Sequence, residues 1–161
     1  MKNNIDQRIN FSIIIPVFNS ESFIKETITS LINQNYKNIE IIIINDCSID
    51  NSSKIINKIK KINQKFKFKI INNKRNRGVA FSRNIGLNYA KGDYIIFLDS
   101  DDYLEKNSLS FISKKIISNN HPDLVLGSHN MNVSEIFKNK KNSTKNNLKY
   151  QLKLINNSKQ F

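Results

Sequence analysis

Three carboxylates, Asp99, Asp101 and Asp102, fall within four residues at the end of the apolar run "YIIFLDSDDYL" (94–104). Carboxylates this close repel one another unless positive charge is placed among them. Mg²⁺ and Mn²⁺ prefer oxygen ligands and commonly take one or two carboxylates together with the phosphate oxygens of a substrate. An Asp-x-Asp pair in a turn after a buried strand suits that task, because the strand fixes the backbone and the two side chains reach one ion. The chain has few other means of holding phosphate. Its four glycines are Gly78, Gly86, Gly92 and Gly127, and neither a dinucleotide fingerprint nor P-loop spacing is present.

Other chemistries for the cluster meet specific obstacles. A calcium loop of the EF-hand kind beginning at Asp99 requires an oxygen ligand at its fifth position and a glutamate at its twelfth. Those positions are Tyr103 and Ser110. A phosphatase of the haloacid-dehalogenase kind also places Asp-x-Asp after a strand, but with a small residue where Tyr103 stands. A solvated acidic turn is the plain alternative.

The elements that must position these acids alternate along the chain. "FSIIIPVF" (11–18) and "IEIIIIND" (39–46) are apolar, β-branched runs of buried-strand type. "FKFKII" (66–71) alternates and reads as a strand nearer an edge, "DYIIFLD" (93–99) as a fourth strand and "DLVLGS" (123–128) as a fifth. Between them lie amphipathic helices. Phe23, Ile24, Ile28, Leu31 and Ile32 mark the first, with Asn19 and Ser20 as cap oxygens. Ile55, Ile56, Ile59 and Ile62 mark the second, capped by Asp50. The third opens at Gly78 and is closed by Gly92, and the fourth carries Leu109, Ile112, Ile116 and Ile117 and ends at His121-Pro122. Strand–helix alternation predicts an α/β, Rossmann-like, mostly parallel sheet with helices on both faces. Ligands of such sheets bind at the carboxyl ends of the strands, which is where Asn19, Asp46 and Asp99 fall.

Bulk composition narrows the partners. The 161 residues carry a formal net charge of +13, but only four of the basic residues are arginines, Arg8, Arg75, Arg77 and Arg83. Lys, Asn and Ile are over-used together, a compositional bias rather than a nucleic-acid footprint, which would cluster basic residues and lean on Arg. No nucleic acid partner is expected. From Asn130 onward seven lysines face one acid, Glu135, a basic C-terminal region suited to peripheral contact with an anionic membrane. The single cysteine, Cys47, no signal-peptide core and no run of about 18 apolar residues together point to a cytoplasmic protein, peripheral at the inner face of the membrane at most.

Four segments occur in order: "IIIPVFN" (13–19), "IIIINDCSIDNS" (41–52), "NRGVAFSRNIG" (76–86) and "GDYIIFLDSDD" (92–102). Together they resemble the nucleotide-binding half of a family 2 glycosyltransferase of the GT-A fold. The resemblance divides the chain into an N-terminal extension (1–10), a nucleotide-sugar-binding domain (11–130) and a lysine-rich loop with a short helix (131–161), the start of an incomplete acceptor region. It implies a nucleoside diphosphate sugar donor, a UDP-sugar, and a saccharide or lipid-linked acceptor in polysaccharide synthesis. Pro16, Val17, Phe18 and Asn19 match the loop beside the nucleoside. Asp46 matches the acid that accepts from the base, and Arg83 the basic residue near the nucleotide. Asp99 matches the acid near the ribose, and Asp101 the ligand of Mn²⁺ or Mg²⁺. Asp102 is the extra acid the family often carries.

The implied reaction is inverting, metal-dependent transfer, with a separate carboxylate deprotonating the acceptor hydroxyl. That carboxylate lies well downstream in the family. Here the one acid after Asp123 is Glu135, earlier than the pattern places it, so the chain reads as truncated after the donor-binding half. The alternative reading is a non-catalytic nucleotide-sugar-binding module, and a Mg²⁺-dependent phosphatase stands third.

Overall fold

The computed structural model of the chain describes residues 9–129 and 132–138, with side chains described through residue 123. The described elements run β1 (Phe11–Val17), α1 (Ile24–Ile32), β2 (Ile39–Asn45), α2 (Ser52–Ile62), β3 (Lys67–Asn72), α3 (Val79–Tyr89), β4 (Tyr94–Phe97), α4 (Ser108–Ser118), β5 (Leu124–His129) and β6 (Asn132–Lys138). All six strands form one sheet in the order β3-β2-β1-β4-β6-β5. β1 pairs in parallel with β2 and β4, and β2 with β3. β6 runs antiparallel to both β4 and β5. Four parallel strands therefore carry the sheet, as the alternation of elements predicts.

β1 is buried at every position, because alternate residues enter two different cores. Ile13, Ile15 and Val17 pack with Ile41 and Ile43 against α1, α2 and α4, through Ile24, Ile28, Leu31, Ile56, Leu109 and Ile116. Ile14 packs on the opposite face with Ile42, Ile44 and Ile95, against Ile85 and Leu87 of α3. A strand covered on both faces has no polar side to present, which is why its sequence reads as an unbroken apolar run. Phe23 and Ile62, expected on helix faces turned to the core, are exposed instead.

Four expectations are corrected by the fold. Asn19 and Ser20 do not cap α1: the α1 N-cap is Phe23 with no side-chain bond, and the Ser20 carbonyl receives the Phe23 and Ile24 N–H groups. Gly92 does not close α3 by a left-handed turn. It lies against β1, where a Cβ would come 2.6 Å from the Ser12 nitrogen and 2.8 Å from the Asn10 carbonyl oxygen. The N-terminal extension is not separate up to residue 10, since Ile9 is in the core and its carbonyl accepts from the buried Tyr36 hydroxyl at 2.6 Å. Finally, residues 132–138 of the expected loop form β6, inserted between β4 and β5. The expected short helix and the rest of the basic C-terminal region lie outside the described residues. No helix among the described residues is long and apolar enough to cross a membrane.

Both close glycine contacts are testable. Gly86 places α3 so near β1 that an added Cβ meets the Ile14 side chain. Overpacking of this kind costs about 1–3 kcal/mol, while the helix regains roughly 1 kcal/mol of propensity from alanine. Gly92 faces backbone, which cannot step aside. Urea unfolding should show Gly92→Ala losing more stability than Gly86→Ala. Equal stability of Gly92→Ala and wild type would contradict the packing.

Candidate functional site

Parallel pairing brings the carboxyl ends of β1, β2 and β4 to one edge. There a cleft of about 400 Å³ is lined by Pro16, Val17 and Phe18, by Asp46, by Asn76, Gly78, Val79 and Ser82, and by Asp99, Ser100 and Asp101. Of the residues singled out in the sequence, Pro16, Val17, Phe18, Asp46, Asp99 and Asp101 therefore meet in one place. Phe18 is 48% exposed and belongs to the cleft wall rather than to the core. Asn19 and Arg83 do not line the cleft, and each acts on it from behind.

Asn19 belongs to a set of hydrogen bonds that joins the loops after β1 and β2. Its N–H donates to Ser48 Oγ at 3.1 Å, and its Oδ1 accepts the Ile49 N–H at 3.0 Å. The Ser20 N–H donates to Ser52 Oγ at 2.8 Å. The Glu21 N–H donates to Asp50 Oδ2 at 2.9 Å, and Glu21 Oε2 accepts the Asn51 N–H at 2.8 Å. Asp50 also accepts the Ser52 N–H at 2.9 Å, but it is not the expected N-cap of α2, a position held by Asn51 with no side-chain bond. Asn19 and Cys47 both have left-handed backbones, with φ of 49° and 65°, which let the two loops turn sharply past each other.

Asp46 is only 3% exposed, and its carboxylate accepts from three donors of the chain, fewer than the roughly four lone-pair positions a carboxylate offers. Oδ1 accepts from Asn73 Nδ2 at 2.6 Å and the Arg77 N–H at 3.1 Å, while Oδ2 accepts from the Arg77 N–H at 3.0 Å and the Gly78 N–H at 2.7 Å. A buried charge is tolerable only when it is hydrogen-bonded in this way. The bonds hold the segment 73–78 against the end of β2 and set the start of α3. Gly78 has φ of +83°, a backbone that glycine adopts without strain. The Arg77 guanidinium stacks on the Phe81 ring, 3.7 Å from its centroid. Asn73, Asn76 and Ser82 have no expected role, and Gly78 is expected only to open α3, where it is the N-cap. The only signal of the first three in the sequence was membership of the quoted "NRGVAFSRNIG" segment and its approach.

The acidic turn is held from two sides. Arg83 Nη2 pairs with Asp99 Oδ1 at 2.5 Å, with Arg83 14% and Asp99 42% exposed. The Arg83 guanidinium lies 5.4 Å from the Phe97 ring centroid, and its Nε is buried with no hydrogen-bond partner among the described residues. From the α1 side, Thr27 Oγ1 donates to the Ser100 carbonyl at 2.8 Å, and the Ser20 and Ser100 hydroxyls are 2.7 Å apart. Asp101 and Asp102 are left exposed. Partial burial, then the charges of Asp101 and Asp99, push the Asp102 carboxyl above the usual carboxylate range. Among the described residues no group of three or more His, Cys, Asp or Glu is placed to hold a metal ion alone. Glu135 lies on β6 opposite Leu126, and its side chain lies outside those described.

The raised Asp102 carboxyl has a signed consequence. A carboxyl raised in the folded state binds more protons than it does unfolded, so its charge lowers stability as pH rises from the ordinary carboxylate range through the raised value. Asp102→Asn should therefore melt at a higher temperature than wild type at pH 7 in metal-free buffer. The gain should shrink as pH falls into and below the ordinary carboxylate range. A gain that is independent of pH would show that Asp102 carries no such repulsion.

With this geometry in view, three comparisons bear on the chain. The E. coli protein "UDP-Glc:alpha-D-GlcNAc-diphosphoundecaprenol beta-1,3-glucosyltransferase WfaP" is 46% identical over 99 residues, covering 62% of this chain and 38% of its own length. The crystal structure of S. aureus TarS 1–349 in complex with UDP-GlcNAc superposes with a TM-score of 0.68 at 32% identity, covering 77% of this chain and 36% of that one. That of GalNAc-T7 with UDP, GalNAc and Mn²⁺ gives 0.54 at 28%, covering 62% and 19%. The chain spans 18–38% of the length of the curated relatives it matches. The family model described as glycosyl transferase family 2 matches residues 12–160, and the chain, with its GT-A-like sheet, belongs to that family.

Proposed function

We propose that the chain supplies the donor-binding part of a glycosyltransferase that moves a sugar from a UDP-sugar to a saccharide or lipid-linked acceptor, with inversion. The observation that carries this reading is the convergence of the Pro16–Phe18 loop, the Asp46-held segment and the Asp99–Ser100–Asp101 turn on one cleft. The UDP-Glc donor and diphosphoundecaprenol acceptor in the name of WfaP, and the UDP-GlcNAc bound to TarS, support it.

Each wall has a task in this account. Phe18, half exposed, offers a ring face to the base. Asp46 lies beside it and selects uracil, whose N3–H is a donor, over cytosine, whose N3 is an acceptor. Asp99, aligned by Arg83, faces the ribose. Asp101, with Asp102 beside it, would hold Mn²⁺ or Mg²⁺ jointly with the donor's phosphate oxygens. These residues fit such an ion: they are exposed, and among the described residues they lack a third ligand of their own. When bound, a divalent cation supplies stabilisation of charge on the departing diphosphate. The Mn²⁺ in the GalNAc-T7 complex supports this assignment. The base for the acceptor hydroxyl is left unassigned, since Glu135, the acid that follows Asp123, falls earlier than the family pattern places it.

Calorimetry of the full chain should show UDP binding much more tightly with Mn²⁺ or Mg²⁺ than with EDTA, and Asp101→Ala should remove most of the difference. Equal affinity with and without metal would end the metal assignment.

Asp46→Ala should weaken UDP by about 1.5–3 kcal/mol, the range for a hydrogen bond to a charged group, and should blur UDP against CDP. If affinity falls while the preference for UDP survives, Asp46 acts only through the segment 73–78.

A further inference from the structure

The same parallel strands have a second end. At their amino ends a groove of about 560 Å³ opens on the side of the sheet remote from the cleft. Its charged lining is Lys37, Lys65, Lys67, Lys69 and Lys91, with Glu40 as the one acid. The cleft at the carboxyl ends is lined by acids and by no lysine. Lysines are scattered along the whole sequence, but here the fold gathers five of them from separate places: the loop before β2, the loop before β3, β3 itself, and the turn after α3.

Glu40 does little to neutralise them. Its Oε1 already receives the Ser12 hydroxyl and the N–H groups of Lys91 and Gly92, at 2.5, 2.5 and 3.1 Å. Lys67 is its register partner on β3. Five cations against one committed carboxylate leave the groove with a formal charge of about +4. Lys37 and Lys65 lie over the same Phe66 ring, 5.4 and 5.5 Å from its centroid. Burial, then the charge of Lys65, lowers the Lys37 pKa, and the Lys37 ammonium donates to the Ile32 and Gln34 carbonyls. Lys69 is steadied over the Tyr89 ring at 4.7 Å.

We propose that this groove is a second binding site, for a soluble oligophosphate anion of the size and charge of tripolyphosphate. Ammonium groups are point donors that suit phosphate oxygens approached from several directions. A compact anion bearing four or more negative charges matches the charge, and the concavity suits a small ligand. An anionic lipid headgroup presents the same chemistry. The groove nevertheless opens away from the cleft by about seven strand residues, roughly 23 Å at 3.3 Å per residue. Seating it on a membrane would turn the donor cleft away from that surface. The inference does not depend on the identity of the cleft's ligand.

The test is calorimetric titration of the full chain with tripolyphosphate in EDTA. Saturable one-to-one binding that weakens with salt is expected. The triple variant Lys65→Gln, Lys67→Gln, Lys69→Gln should weaken it roughly tenfold or more, because three nearby charges are lost. The matched control Lys25→Gln, Lys58→Gln, Lys114→Gln, which removes the same charge from exposed helix positions, should leave it unchanged. Amide shifts of the wild type should move at Lys37, Lys67 and Lys91, which reads the site even if the triple variant does not fold. Equal weakening in both triples, shifts centred elsewhere, or binding to phosphatidylglycerol vesicles without binding to tripolyphosphate would each overturn the proposal.

Discussion

Everything in the molecule hangs on the burial of β1. Its seven residues pair in register with β2 on one side, its first four pair with β4 on the other, and its two faces feed two different cores. Fully burying a Val, Ile or Phe side chain contributes about 1.5–3 kcal/mol, and β1 buries Phe11, Ile13, Ile14, Ile15 and Val17 almost completely. Such a strand cannot slip, because a one-residue shift would exchange the residues that face α1 with those that face α3. The fixed register determines where β1, β2 and β4 end, and so where the loops that follow them meet.

The loops themselves are held by polar bonds rather than by apolar packing. Asp46 organises the approach to α3, the reciprocal bonds of Asn19 and Glu21 join the first two loops, and Arg83 and Thr27 grip the acidic turn from opposite faces. Each of these side chains is satisfied by groups distant in sequence. Where the member is buried, as Asp46 is, removing a partner leaves a polar group unsatisfied, which costs more than the bond itself contributes; the Asn19 and Glu21 bonds are exposed. Positioning in this site is consequently a property of several loops acting together. Phe18, Asn76, Gly78, Val79 and Asp101 line the cleft and remain exposed, and are available to a ligand.

The sequence displayed the parallel strands and four helices clearly, because uninterrupted isoleucine runs and 3.6-residue spacing are local signals. It displayed the acidic turn and Asp46 for the same reason: each directly follows such a run. What it concealed was non-local. The Arg83–Asp99 pair joins a helix to a turn after the next strand, and nothing in either segment announces the other. Asn19 and Ser20 look like helix caps, but their side chains and backbone are drawn across to the neighbouring loop. Gly92 looks like a helix stop, but its missing side chain is needed for contact with β1. β6 was hidden because "NVSEIFK" alternates only weakly and runs into a lysine-rich stretch, while its pairing partners, β4 and β5, lie earlier in the chain. Gly78 showed itself only as a helix start, and Asn73 and Asn76 not at all, because their bonds to the loop after β2 and their place on the cleft are non-local.

The central claim is that the nucleotide of a UDP-sugar lies in the cleft at the carboxyl edge. Two-dimensional amide NMR of the full chain, titrated with UDP in the presence of Mg²⁺, addresses it residue by residue. The account predicts that the largest shifts fall on Val17, Phe18, Asp46, Gly78, Ser100 and Asp101, with the strand amino ends at Phe11 and Glu40 unmoved. Saturable shifts centred anywhere else, or no shifts at the acidic turn and the Asp46-held segment, would contradict it.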